Sequence, residues 1–204
     1  MTLNDQLQAL RRDVDLFAGA TLDGIHFDGL NAVKADFSDC SMRGAMLTGA
    51  NLKDANLTGA MMEDASVDGC NLDGARLTGA ILTDASFHRA NLRGAILDGV
   101  SAIGANFNLV DGTKTSFNGA DLSRTLMYGA QLSGADFSQA NLTEARLQTA
   151  RLTSAILAGA VLDRVVAREA VANNADFSGA SMQQTNLDGA SLGRSIFDGA
   201  TIAY

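Results

Sequence analysis

His26 and His88 are the chain's only histidines. With Cys40, Cys70 and the adjacent carboxylates of Glu63 and Asp64, they are the side chains equipped for acid–base, nucleophilic or metal chemistry. General acid–base catalysis needs such groups within hydrogen-bond reach of one another, in a concave and partly dry pocket. A metal ion needs three or four ligands converging on one point. Whether these groups can meet depends on the repeat that carries them.

A five-residue cycle runs from Asp15 to Tyr204, 38 consecutive pentads without insertion or deletion. Nineteen of the 21 glycines, Gly19 to Gly199, fall on its fifth place, and all nine phenylalanines, Phe17 to Phe197, fall on its third. Ala50-Asn51-Leu52-Lys53-Asp54 and Ala55-Asn56-Leu57-Thr58-Gly59 are representative. Five fits neither the helical period of 3.6 nor the strand period of 2, so a single long helix or strand is excluded. Within a pentad, strand parity points the first and third residues inward and the second outward. The fourth and fifth must then turn the chain, and glycine suits a corner with positive φ. The third place is apolar and larger than alanine except at Ala32, Ala102, Gly112, Ala167 and Ala172, so it forms the core ladder.

The phenylalanines set the number of pentads per coil. Phe17, Phe37, Phe117, Phe137, Phe177 and Phe197 recur at multiples of 20, while Phe27, Phe87 and Phe107 lie ten residues out of step. Four pentads per coil puts these two groups on opposite walls; three would scatter them. The expectation is about nine and a half coils stacked at about 4.8 Å, a rod of roughly 45 Å.

On that rod His26 and His88 point outward from one wall, three coils or about 14 Å apart. That is too far to share a metal ion. Cys40 and Cys70 take first places on opposite walls, where they read as small core residues rather than a disulfide. Glu63 and Asp64 lie on a convex wall. No catalytic site, cofactor or metal is therefore expected.

Pentads such as Ala135-Asp136-Phe137 and Ala140-Asn141-Leu142 resemble those of the pentapeptide-repeat family, whose pattern is Ala-(Asp/Asn)-Leu-X-X, and the match extends over residues 15–204. The resemblance implies an all-β solenoid, a right-handed four-sided parallel β-helix, usually bacterial and without enzymatic activity. It also implies that some members mimic DNA and bind type II topoisomerases.

Residues 1–14 break the cycle. Leu3, Leu7, Leu10 and Val14 recur at helical spacing, and Thr2 with Asp5 fits a capping box, so a short amphipathic helix capping the first coil is expected there. The opposite end, with Ile196, Phe197, Ile202 and Tyr204, is expected to leave an open apolar coil that pairs with a second copy. A net charge of −8 and a pI near 4.6 argue against direct binding to nucleic acid or anionic lipid. Without a long apolar run or a secretory start, a cytoplasmic protein is expected.

Two surfaces stand out. The wall with Asp36, Asp39, Asp98, Asp136, Asp176 and Asp198 sums to −6, and the next wall, with Glu63, Asp64 and Asp84, to −4. A duplex carries one charge per about 1.7 Å, so together these walls reach less than half the density of DNA. The other surface is apolar: Leu109, Leu126 and Tyr128 at outward places, with Ile103 at the adjoining corner, beside the undersized Ala102 and Gly112. Either the patch is exposed and meets a protein partner, or a local bulge folds it inward. The function expected is presentation of a rigid surface to another protein. The runner-up is an acidic DNA mimic that binds a type II topoisomerase such as DNA gyrase and modulates or protects it.

Overall fold

A computed structural model describes residues 17–203, and the backbone pairing in it repeats every 20 residues. Thr21 bridges Ser41, Ser41 bridges Met61, Met61 bridges Ile81, and the parallel series continues to the last coil on all four walls. Four pentads thus make one coil of a four-sided parallel β-helix. Each wall contributes a single bridged residue per coil, the second of its pentad. Among the described residues the pairing extends into strands at one place: β1 (Ser181–Gln183) and β2 (Thr201–Ala203) pair in parallel with Ser181 opposite Thr201. The helix expected over residues 1–14 and the terminal Tyr204 lie outside the described residues.

Between the two end coils each pentad satisfies its backbone the same way. The Ala80 amide donates to the Leu77 carbonyl in the turn at 2.9 Å, and that of Ile81 to Ala60 one coil earlier at 2.9 Å. The amides of Leu82 and Asp84 donate to Ser101 and Ile103 one coil later, at 2.6 and 3.0 Å. Places one, two, three and five are thereby paired, and place four is left over. Its amide needs a side-chain acceptor or water.

Every fifth-place residue from Gly19 to Gly199 has φ between 55° and 71°. Glycine is the expected occupant, but 18 of these corners carry a side chain, Thr149 at φ 58° among them. Left-handed backbone costs an L-residue about 1 kcal/mol or more. The ladder above and below imposes the corner regardless, so the cost is borne.

First- and third-place side chains fill the shaft. Phe17–Phe37, Phe87–Phe107, Phe117–Phe137 and Phe177–Phe197 stack at centroid distances of 4.9, 5.0, 5.0 and 4.9 Å. That spacing is one layer. Across the shaft Phe107 meets Phe117 edge-on at 5.9 Å, so the two phenylalanine walls touch. Where the third place is small, a larger first place makes up volume. Val100 precedes Ala102, Val165 precedes Ala167, and all four are buried. At Gly112 an added Cβ would lie 2.9 Å from Leu132 Cδ2 and 3.3 Å from Thr115 Oγ1, so those neighbours already occupy the space. Ala172 has no such partner, and a cavity of about 20 Å³ remains there, lined by Leu152, Ala167, Ala170 and Leu192 among others.

The backbone stays regular through Ala102 to Tyr128, so no bulge folds the apolar patch inward. Among the described residues no helix is long and apolar enough to cross a membrane.

Leu77 is fully buried in this ladder. Replacing it with Asp strands a carboxylate in the shaft, and the Leu77→Asp chain is expected to lose several kcal/mol in chemical denaturation. An unfolding midpoint equal to that of the parent would show that the third place does not face inward.

Candidate functional site

The leftover fourth-place amide explains where the aspartates and asparagines stand. In one arrangement the second-place side chain of the same pentad accepts it: Ser138 N–H donates to Asp136 Oδ1 at 2.8 Å, Ser38 to Asp36 at 2.9 Å, Ser178 to Asp176 at 2.8 Å. In the other, the second place lacks a carboxylate or amide, and a fourth-place residue one coil earlier reaches over. His88 N–H donates to Asp68 at 3.0 Å and Asn118 N–H to Asp98 at 3.2 Å, while Ser86 and Ser116 add their hydroxyls to those carboxylates. Where a fourth-place amide is capped, the acceptor comes from one side or the other, and the rest, such as those of Thr83 and Gln148, are left to water.

The nine acidic residues named from the sequence sort accordingly. Asp36, Asp98, Asp136 and Asp176 hold backbone amides. Asp39, Asp64 and Asp84 stand at left-handed corners, at φ 55°, 58° and 56°, which aspartate tolerates better than most residues. Glu63 pairs with Arg43 Nε at 3.1 Å. Asp198 is exposed. As a sequence pattern all nine are surface charge; the backbone roles of seven of them emerge only from the structure. The signal was partly present: in several pentads whose second place is serine, the acceptor stands at place four of the coil before, as in Asp23 and Ser41, Asp68 and Ser86, Asp163 and Ser181.

A further feature not anticipated is an amide ladder. Asn51 Nδ2 donates to Asn31 Oδ1, Asn71 to Asn51, and Asn91 to Asn71, at 3.1, 3.1 and 3.0 Å. In-register stacking puts identical side chains one layer apart, as in other cross-β stacks.

A cap from the previous coil also releases one outward place for an apolar side chain. At Leu126 the second place holds no acceptor, and Asn108 Oδ1 from the previous coil takes the Tyr128 amide at 2.7 Å. Leu126, Tyr128 and Leu109 are exposed to 36, 54 and 41 %. The Leu109 amide donates to the Tyr128 carbonyl at 2.9 Å, and an added Cβ at Gly129 would lie 2.8 Å from Leu109 Cδ2. Leu109 therefore lies over Gly129 beside Tyr128, and these three share one wall. Ile103 stands on the preceding wall and is half-buried.

The groups equipped for chemistry stay apart. His26 is exposed, with Nδ1 4.0 Å from Asp28, and His88 lies farther along the same wall. Cys40 and Cys70 are buried and unpaired with each other. Burial pushes the Cys70 thiol up to about 12, and its Sγ donates to the Leu47 carbonyl at 2.7 Å. Among the described residues no three His, Cys, Asp or Glu side chains gather as a metal site.

A shaft of this kind, with Asn, Asp or Ser in the outward bridging place and glycine or a left-handed residue at the corner, defines the pentapeptide-repeat class of solenoid. The sequence profile described as "Pentapeptide repeats" matches in eight copies, the first over 16–49 and the last over 160–199. The chain belongs to that family, whose fold is the right-handed quadrilateral β-helix and whose members are generally structural or interaction proteins. Among solved structures it is similar to HetL, a pentapeptide-repeat protein involved in heterocyst differentiation regulation in the cyanobacterium Nostoc sp. strain PCC 7120. Identity is 25%, coverage 99% of this chain and 97% of HetL, and TM-score 0.58. QnrB1, a plasmid-mediated fluoroquinolone resistance protein, matches at 21% identity over 91% of this chain and 90% of its own, TM-score 0.47. Rfr23 from the cyanobacterium Cyanothece 51142 matches at 18% over 97% and 100%, TM-score 0.39. No curated protein sequence matches.

The caps are testable through pH. Hydrogen bonds from the Ser38 hydroxyl and amide hold Asp36 below the usual carboxylate range, and Ser178 does the same for Asp176. Because the folded pKa is lowered, the stabilisation is complete above the unfolded value of 3.8 and fades as pH falls through the folded one. Asp176→Ala is expected to cost about 1 kcal/mol in denaturant melts at neutral pH. Asp176→Asn, still an acceptor, should cost less and weaken the fall in stability at acid pH. Equal losses for both variants would separate the carboxylate's role from capping.

Proposed function

We propose that this protein is a non-enzymatic rod, working in the cytoplasm, that presents a rigid wall to a protein partner. The observation that carries this reading is the exposed cluster of Leu109, Leu126 and Tyr128 on one flat wall. Exposed apolar clusters of this kind mark protein contacts. Their backbone is pinned from both sides: Leu126 bridges Asn106 in one neighbouring coil and Arg146 in the other. Little ordering entropy is therefore lost when a partner docks. HetL, a relative of similar length and fold, is involved in heterocyst differentiation regulation, a role that surface contact can serve.

The wall is tested by affinity capture from the native host, with a Leu126→Ala, Tyr128→Ala double variant beside the parent. Both positions are exposed, so the unfolding curve is expected to stay within about 0.5 kcal/mol of the parent. The partner retained by the parent should be lost by the variant. Equal capture by both would remove this wall from the interaction.

A second reading, an acidic mimic of DNA that binds a type II topoisomerase, draws on the two adjacent acidic walls. It is the weaker one, because Asp36, Asp98, Asp136 and Asp176 are engaged by backbone amides and the walls fall short of the charge density of a duplex. A gyrase supercoiling assay decides it: inhibition or quinolone protection at micromolar protein supports mimicry, and neither removes it.

A second copy of the chain is proposed at the coil containing Phe197. There Leu187, Leu192 and Phe197 are only half-buried, and Ile196 and Ile202 are 47 and 57 % exposed. The amides of Leu187, Leu192 and Phe197 have no backbone acceptor among the described residues. Light scattering at tens of micromolar is expected to give twice the chain mass, and Ile202→Asp the monomer. A monomeric parent would exclude the pairing.

A further inference from the structure

Beside the apolar cluster the sign of the surface reverses. Leu126, Arg146 and Val166 are successive bridge partners down one wall. Arg124, Glu144 and Arg164 follow one another at 20-residue spacing along the corner next to it, all three with left-handed φ of 58–63°. Arg124, Glu144, Arg146, Arg164 and Val166 line one groove of about 470 Å³. Glu144 Oε1 accepts from Arg164 at 3.0 Å through Nε and 2.9 Å through Nη2, so those two charges are matched. Among the described residues no carboxylate comes within 4 Å of Arg124 or Arg146. A chain of net charge −8 thus holds two unmatched guanidiniums in a groove flanked by Leu126 and floored in part by Val166.

We propose that this groove takes an acidic segment of the partner protein, its carboxylates on Arg124 and Arg146 and an apolar side chain against Leu126 and Val166. The proposal rests on the interaction-wall reading and gives the chemistry of the partner that the wall admits. Guanidinium forks pair with carboxylates through two parallel hydrogen bonds, which fixes orientation as well as charge. Apolar neighbours exclude water from such pairs and strengthen them. A long polyanion is disfavoured, because beyond the groove it runs onto the acidic remainder of the rod.

The test uses the full chain and a fluorescein-labelled peptide of alternating Glu with Leu and Phe, beside its Lys counterpart and a labelled DNA duplex. Anisotropy is expected to show the acidic peptide binding, and weakening as salt rises from about 50 to about 300 mM. The Arg124→Glu, Arg146→Glu double variant should bind it about tenfold or more weakly. Arg76→Glu, on a different wall, should bind as the parent does, and circular dichroism melts should coincide for all three chains. The proposal is overturned if the acidic peptide fails to bind, if both variants bind it as the parent does, or if the duplex binds more tightly. Should the double arginine variant still capture the partner that Leu126→Ala, Tyr128→Ala loses, the interaction wall stands and the groove assignment falls.

Discussion

One amide in five has no acceptor in the backbone ladder, and much of the surface chemistry of this rod follows from supplying it. Places one, two, three and five of each interior pentad are paired by geometry that repeats every 20 residues. The fourth must find a side chain or water, and an unpaired buried donor costs more than a made bond gains. Asp, Asn and their serine companions are distributed to meet that need, from the same pentad at Asp136 or from the coil before at Asp68. The acidity of the chain is therefore in good part an outcome of backbone chemistry. A function read from net charge alone would misplace its cause.

The same constraint leaves a small number of outward places free to vary. Where a fourth-place residue of one coil caps the next, the second place is released, and Leu126 occupies it because Asn108 has taken over the cap. Further along that wall Arg146 and Val166 fill corresponding places. The shaft beneath cannot adapt, since its layers are set by phenylalanine stacks at about one strand spacing. Volume lost at Ala102 or Ala167 is made up within the pentad by Val100 or Val165, so irregular sequence produces no irregular backbone. A small apolar cavity remains where Ala167, Ala170 and Ala172 come together.

The four-sided coil, its inward faces and its corners were legible in the chain before any coordinates. A period of five with strict phase restricts the backbone to one repeating path, and the two phenylalanine columns set the number of sides. Gly19 to Gly199 marked the corners. That Thr149 or Leu109 adopts the same left-handed φ without glycine could not be read from the chain, because the ladder rather than local preference imposes it.

Surface meaning was less legible. Asp36 and Asp98 look alike as charges, yet one caps its own pentad and the other reaches over to the next coil. Summing charge over whole walls also averaged away the groove around Arg124 and Arg146, which draws on two walls and spans only three coils. The amino-acid order alone determined the architecture, since a short strict period admits one way of burying its apolar places. Which outward side chains meet one another was decided by stacking, because residues 20 apart in sequence become neighbours only once the coils close at a common register.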